Sequence, residues 1–532
     1  MKRRNWTRAL SFLLVICLLL GMMPSAFAGS AAGQNVTFEE VLPDENTADL
    51  AMETGKPTQP SEEEPAEDEM VRVSIVLEKQ ATLERGYSTM GLASNGAAQS
   101  YRQTLLAEQQ AVAARIAQAT GEPLDTVWNL TLAANVISAN VRYGDLDAVA
   151  ATAGVRDVVL ETRYMPCEAQ TGTYHPNTST SGPMTGADTA WNSGYTGAGS
   201  RIAVIDTGLD VDHQSLNAGA FHHALEENAA HAGMETQAYL DGLDLLSAQE
   251  IQERLPLLNI YKGYEDVTGS FIQDGSLTGD VLYQNEKIPF GYNYIDRDLD
   301  ITHDNDTQGG HGSHVGGIAA ANRYLANPDG TFSDALETVH VTGTAPDAQV
   351  LVMKVFGKNG GAYDSDYMAA IEDAIVLGCD SINLSLGSAT AGMATDRFYQ
   401  DILDSLTETD TLVVVSAGNN GAWAEMSYKG HLYADDVNLH TGGSPGTYAN
   451  TLTVGSVENT GMVGASFRAA GKDIVYTEPA GNYNDPLISL DTSTDGSGTQ
   501  WEYLFLDCLG KPEDYQGLDV AGKIVFVSRG ET

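Results

Sequence analysis

The chain has 532 residues, 42% of them hydrophobic, enough for two to four domains around a sizeable core. It carries 28 basic against 72 acidic residues, a formal net charge of −44, which argues against binding nucleic acid or an anionic membrane surface. The same surplus suits a soluble exported protein and offers carboxylates fitted to structural calcium.

The N-terminus reads as an export signal over residues 1–28. Lys2, Arg3, Arg4 and Arg8 form its charged region, Leu10 to Met23 its apolar stretch, and Ala26-Phe27-Ala28 a cleavage site. No second apolar run reaches transmembrane length, so no other membrane span is expected. Residues 29–70 are acidic and rich in proline and glutamate, the composition of a disordered spacer. Of the four cysteines, Cys17 leaves with the signal. Cys167, Cys379 and Cys508 are too few and too scattered for a disulfide framework, and Cys379 reads as a small buried apolar residue.

Residues 71–168 read as a compact α+β unit in the order β-α-β-α-β. Strands are expected at 71–77, 134–141 and 155–160, a long helix over 97–119 and a short one over 146–150. That order predicts an antiparallel sheet covered by two helices. Lying between the signal and the region that follows, the unit reads as a folding or inhibitory propeptide.

From residue 169 to about 463 apolar strands alternate with helical stretches. The segments 201–205, 350–355, 381–386 and 411–416 are nearly continuous apolar runs, as in a parallel sheet covered on both faces. Tyr367, Ile371 and Ile375 form one helical stripe between them, and Phe398, Ile402, Leu403 and Leu406 another. Residues 464–532 lose the alternation and look β-rich.

Three strand ends carry candidate chemistry. Asp206 follows the first strand and could accept a bond from an imidazole N–H, fixing its tautomer. Asn419 follows Ala417-Gly418 at the end of the last strand, where its amide could donate to an oxyanion. Ser385-Leu386-Gly387 ends a third strand and could pair with an extended peptide. Between them, residues 309–321 read as a loop entering a helix, with Val315, Ile318 and Ala319 on one face and His311 at the start. The positive end of a helix disfavours imidazolium, which keeps such a histidine available as a general base. His311 and His314 could instead form a zinc pair, but the glutamate of the zinc-protease motif is missing beside them.

These residues together resemble the subtilisin-like serine protease family. Ala203-Val204-Ile205-Asp206-Thr207-Gly208 looks like its aspartate motif. His311-Gly312-Ser313-His314-Val315-Gly316-Gly317 resembles its histidine motif, with Ser313 and Gly316 as small departures. Ala417-Gly418-Asn419 resembles the oxyanion motif and Ser381–Gly387 the substrate-flanking strand. The stretch Lys287–Tyr294 is similar to the lactocepin-type cell-envelope proteinases. Asp507–Gly510 with Asp519–Val525 looks like the start of a protease-associated domain. The resemblance implies an α/β subtilisin-like catalytic domain over 169–463, a three-layer parallel sheet with helices on both faces. It would be preceded by the propeptide domain and followed by the start of an inserted domain over 464–532. It implies Asp206 and His311 as catalytic residues, Asn419 as oxyanion donor, and Ser385, Leu386, Gly387, Ala417 and Gly418 around the substrate. The 105 residues from Asp206 to His311 imply an insertion near 215–285.

The family's serine motif, Gly-Thr-Ser-Met-Ala, does not occur in the sequence. The expectation is therefore a secreted or cell-envelope serine endopeptidase present as a zymogen fragment, its nucleophile lying beyond Thr532. It would act on polypeptides, bind its own propeptide and need no cofactor for the chemistry. The competing expectation is a non-catalytic peptide-binding protein derived from a protease. An in-frame serine motif downstream separates the two.

Overall fold

The computed structural model describes residues 65–89, 91–166, 178–261, 264–265, 271–272, 276–304, 306, 309–358, 360–387, 397–406, 409–418, 445–446, 451–457, 459, 466–469, 472–475, 500–506, 508 and 511–527. The signal and most of the spacer, with Cys17, Cys167 and Asn419, lie outside the described residues.

The N-terminal lobe begins with strand β1 (Met70–Leu77) and helix α1 (Gly96–Thr120). Asn95 caps the helix by accepting from the Ala98 N–H, and Gly121, at φ 81°, ends it in the left-handed conformation that glycine adopts without cost. Then come β2 (Asp125–Leu130), β3 (Val136–Arg142), α2 (Leu146–Ala150) and β4 (Val155–Leu160). The four strands form an antiparallel sheet in the order β2-β3-β1-β4. The antiparallel sheet and both helices follow the sequence pattern; β2 does not. Its residues Asp-Thr-Val-Trp-Asn-Leu lack clean alternation because five of the six are buried.

Alternation along β1 explains the lobe's packing. Val73, Ile75 and Leu77 share a core with Val112 and Ile116 of α1 and Val149 of α2. Val76, facing the other way, packs with Trp128, Leu130 and Val136 in the core of the second lobe. One face of this sheet thus carries its own helices, and the other is roofed by the rest of the chain.

A last N-terminal strand, β5 (Arg163–Pro166), leaves the lobe and is described below. The second lobe centres on a six-stranded parallel sheet. Its members are β6 (Arg201–Asp206), β7 (Phe290–Asn293), β8 (Gln349–Lys354), β10 (Ser381–Leu384), β12 (Leu412–Ser416) and β13 (Leu452–Val454). Their order is β13-β12-β10-β6-β8-β7, every neighbour parallel. The short strands β9 (Ala362–Tyr363) and β11 (Leu386–Gly387) stand outside it. Four strands match the apolar runs, with one correction. The expected strand 381–386 breaks at Ser385, and Leu386–Gly387 turns aside to pair with β5.

Both sheet faces are covered. The described residues of 215–285, where an insertion is expected, are largely helical and include α3 (Ala218–His231). Helix α4 (His311–Ala320) lies on the face of Val204, Val350 and Val352. Helix α5 (Asp364–Leu377) lies on the face of Ala203, Ile205, Leu351 and Met353, and α6 (Arg397–Leu406) joins the same core. Cys379, just past α5, is buried, and burial pushes its thiol up to about 12. The described parts of 464–532 include an antiparallel hairpin, 466–469 with 472–475, and a parallel pair, 503–505 with 524–526.

All fourteen residues of α5 are buried, four of them acidic, because the N-terminal sheet sits on its outer face. Glu372 accepts from the N–H groups of Leu132 (2.9 Å) and Ala133 (2.8 Å). Asp366 accepts from the Trp128 indole at 2.8 Å. Glu161 reaches down from the N-terminal lobe, with the hydroxyls of Ser74, Ser138 and Ser365 at 2.9, 2.7 and 2.7 Å from its oxygens.

Burial pushes the Glu161 carboxyl above its ordinary value of 4.5, with Arg72 opposing and Asp366 adding to the rise. Asp364 and Asp366 are raised by burial as well. A carboxyl whose value is higher docked than free takes up a proton on docking. Its support is complete below its free value, near 4.5 for Glu161, and is lost as pH rises through the docked value. Glu161→Gln should therefore melt at a temperature that gains on the wild type as pH is raised from 5 to 8. A difference that stays constant or reverses in calorimetric scans at several pH values would contradict this.

Candidate active site

Asp206 is the last residue of β6, in the middle of the parallel sheet, and is fully buried. Its Oδ1 accepts from the Thr207 N–H at 2.7 Å and lies 2.7 Å from His311 Nδ1. An ionised carboxylate only accepts, so the hydrogen sits on Nδ1 and the lone pair on Nε2. Oδ2 has no hydrogen-bond partner among the described residues.

His311 opens α4, directly after the N-cap Gly310, and is only 6% exposed. The helix start is stitched to the turn after β6. The Gly312 N–H donates to Thr207 Oγ1 at 2.9 Å, Thr207 Oγ1 donates to the Gly309 carbonyl at 3.2 Å, and the Asp210 N–H donates to Ser313 Oγ at 2.7 Å. The departure Ser313 thus keeps a working hydroxyl. Two glycines let the backbones meet. A methyl on Gly312 would stand 2.2 Å from the Gly208 carbonyl oxygen, and Gly208 itself, at φ 97°, lies under the Ile301 carbonyl. The buried face of α4 is His311, Gly312, Gly316 and Ala320. Of the expected face of Val315, Ile318 and Ala319, Val315 and Ala319 are partly buried and pack against this core, whereas Ile318 is 46% exposed, because the closest contact runs along the glycine side.

His314, one turn on, lies at the surface, whereas His311 Nδ1 is engaged by Asp206. Partial desolvation of its ring and the nearby His311 hold its value below the ordinary 6.5. Among the described residues no cluster of three or more His, Cys, Asp or Glu side chains is arranged to hold a metal.

One supporting residue escaped the sequence reading. Lys354 ends β8 opposite Asp206 in the sheet register and is fully buried. Its ammonium donates to the Thr302 carbonyl and the Asp306 carboxylate. It ties Thr302 and Asp306 to the floor beside Asp206, and the neighbouring Ile301 carbonyl accepts from the Leu209 N–H. A lone charge closing an apolar strand was the available signal.

Strand register brings the other candidates to the same edge. Leu384 pairs with Ile205 on one side and Val415 on the other, so Asp206, Ser385 and Ser416 emerge side by side. Beyond Ser416, the Ala417 N–H donates to the Val454 carbonyl at 2.9 Å, and Gly418 turns at φ 81° towards Asn419, itself outside the described residues. At this edge β5 lies between β9 and β11, antiparallel to both. Tyr164 pairs with Ala362 and Arg163 with Tyr363, while Met165 pairs with Gly387 and Pro166 with Leu386. The sequence-derived peptide slot at Leu386-Gly387 therefore holds a strand of the chain itself.

A buried Asp–His couple beside a strand-shaped slot is a hydrolase arrangement, and comparison with known proteins specifies which. The subtilase family model matches residues 197–505, more than half of the chain. The chain belongs to the subtilase family. It is 27% identical over 481 residues to the PII-type proteinase of Lactococcus lactis subsp. cremoris, a match covering 87% of this chain and 22% of that protein. It is 26% identical over 359 residues to the minor extracellular protease Vpr of Bacillus subtilis, covering 67% and 31%. It is 25% identical over 337 residues to a C5a peptidase of Streptococcus pyogenes, covering 63% and 24%. The chain thus spans less than a third of the length of these relatives.

The subtilase's close contact at Gly312 generates a paired test. Gly312→Ala should destabilise by about 1–3 kcal/mol, since the added methyl meets backbone that has nowhere to go. Gly317→Ala, with nothing within 4 Å of the new methyl, should be neutral or stabilise by up to about 1 kcal/mol. Thermal unfolding of both variants decides; equal losses would show that contact at Gly312 does not set the helix position.

Proposed function

We propose that this subtilase is the N-terminal part of a secreted or cell-envelope serine endopeptidase zymogen that acts on polypeptides. The observation that carries the reading is the 2.7 Å bond from His311 to buried Asp206, set beside a slot already filled by an extended strand. In this reading a serine C-terminal to Thr532 attacks the substrate carbonyl. His311 takes the serine proton on Nε2 and hands it to the leaving amine. Asp206 holds the ring in the correct tautomer and stabilises the imidazolium as it forms. The Asn419 amide donates to the oxyanion, an effect worth about a hundred- to thousand-fold in rate in subtilisin itself. The chemistry needs no cofactor; any calcium would be structural.

In the same proposal residues 1–28 are the signal, 71–168 the propeptide, and 464–532 the beginning of an inserted domain. The propeptide blocks the enzyme by laying its tail along Leu386 and Gly387, where a substrate strand would pair, with Ser385, Ala417 and Gly418 around it. The protease names of the relatives support this reading.

The test uses the full-length gene product. The secreted wild type should begin between about residues 161 and 175. His311→Ala should retain the N-terminal segment and lose casein hydrolysis, and His314→Ala should still be processed. A mature protein beginning at Gly29, or processing that survives His311→Ala, would overturn the assignment.

A further inference from the structure

Trp128 stands on β2 of the N-terminal lobe, yet it is 1% exposed because residues of the second lobe enclose it. Its indole N–H donates to Asp366 Oδ1, in the first turn of α5, at 2.8 Å. Its ring lies 5.8 Å from the ring of Tyr294, tilted by 41°, and the Arg297 guanidinium stands over it at 5.5 Å. Arg297 also donates to the carbonyl of Val127, the residue before it, at 3.0 Å. An aromatic wall, a cation over the ring and an acceptor for the N–H together answer every feature of an indole.

The socket is held in shape by its own lobe. Asp366 Oδ2 accepts from the Tyr363 N–H at 3.0 Å, and the Tyr294 hydroxyl donates to Asp373 at 3.1 Å. Arg297 takes φ 56°, uncommon for a residue other than glycine, in a turn closed by Asn293. The Asn293 N–H donates to the Asp298 carbonyl at 3.1 Å and its side-chain amide to the Asp298 carboxylate at 3.0 Å. Asp366 Oδ1 is different. Among the described residues it is met from the N-terminal lobe, by the indole and, at 3.7 Å, by the Arg72 guanidinium. Both leave with that lobe, and a preformed socket with a vacant acceptor is left behind.

The socket also lies apart from the slot. In the N-terminal sheet β2 is one edge strand and β4, which leads on to β5, is the other. Three strand spacings of ~4.8 Å separate the two edges by about 14 Å.

We propose that the mature protein carries, outside the slot, an exosite for a tryptophan side chain of a polypeptide substrate, formed by Asp366, Tyr294 and Arg297. The proposal rests on the reading of the N-terminal segment as a propeptide that is removed. Phenylalanine would keep the ring contacts but leave Asp366 Oδ1 unpaired, which costs more than the bond itself contributes. A lysine or arginine side chain would meet the like charge of Arg297.

The experiment uses the mature full-length protein, freed of its N-terminal segment and treated with phenylmethylsulfonyl fluoride so that peptides are not consumed. Peptides copying residues 124–130, with tryptophan, 1-methyltryptophan, phenylalanine or lysine at position 128, are titrated calorimetrically. Casein hydrolysis is measured before the inhibitor is added. The tryptophan peptide should bind about tenfold or more tightly than the phenylalanine peptide. Methylation of the indole nitrogen should remove that advantage, and lysine should bind weakest. Arg297→Ala should weaken the tryptophan peptide by about threefold or more. Saturation of the slot with a peptide copying residues 158–166 should leave the binding unchanged. Equal binding of the tryptophan and phenylalanine peptides, no binding by any peptide, or displacement by the slot peptide would overturn the proposal. Indole-selective binding without casein hydrolysis would leave the exosite standing and contradict the endopeptidase reading instead. The comparison of peptides on the wild type needs no variant, so a misfolded Arg297→Ala would not rescue the idea.

Discussion

The structure depends on how the acids of α5 are satisfied. Asp364, Asp366, Glu372 and Asp373 are all removed from water, and a buried carboxylate without partners is costly. Asp373 finds its partners within its own lobe, the Asn259 N–H at 2.6 Å and the Tyr294 hydroxyl at 3.1 Å. The other three draw donors from the N-terminal lobe: Leu132 and Ala133 for Glu372, Trp128 for Asp366, and Thr162 for Asp364. The helix is thus completed by a separate sheet, and the two lobes are joined by directional bonds as well as by apolar contact. Docking fixes the last turn of the N-terminal lobe, and with it the path of β5 into the slot.

The two helices on opposite faces of the parallel sheet have different tasks. Helix α4 comes close through glycines and presents His311 to Asp206 at its first residue. Helix α5 stands at the head of the slot, with β9 just before it and Asp364 as its first residue. The Asp206–His311 couple and the strand slot therefore belong to different layers and meet only at the carboxyl edge of the sheet. This is the usual place for function in an open parallel sheet, because all strand ends and their loops collect there.

The parallel sheet was legible because strands buried on both faces become continuous apolar runs, as in Val350–Val355. Asp206 and His311 were legible because each stands at a punctuation point, a strand end and a helix start. Other features were hidden for physical reasons. Strand β2 lacks alternation because five of its six residues are buried. The break at Ser385 is invisible in an apolar run, since local sequence does not say which partner a strand residue will choose. The burial of the α5 acids was hidden because it depends on a second lobe contributing N–H groups. Ile318 was misplaced on the buried face of α4 because hydrophobicity marks burial only where side chains, and not bare backbone, make the contact.

The central claim is that the N-terminal lobe closes the slot by completing α5 and laying β5 along β9 and β11. Hydrogen–deuterium exchange on the uncut chain tests it most directly. The amides of Leu132 and Ala133, bonded to Glu372, and those of 163–165 should exchange far more slowly than open peptide, and Glu372→Ala should speed both groups together. Exchange of these amides at open-peptide rates in the uncut wild-type chain would contradict the account.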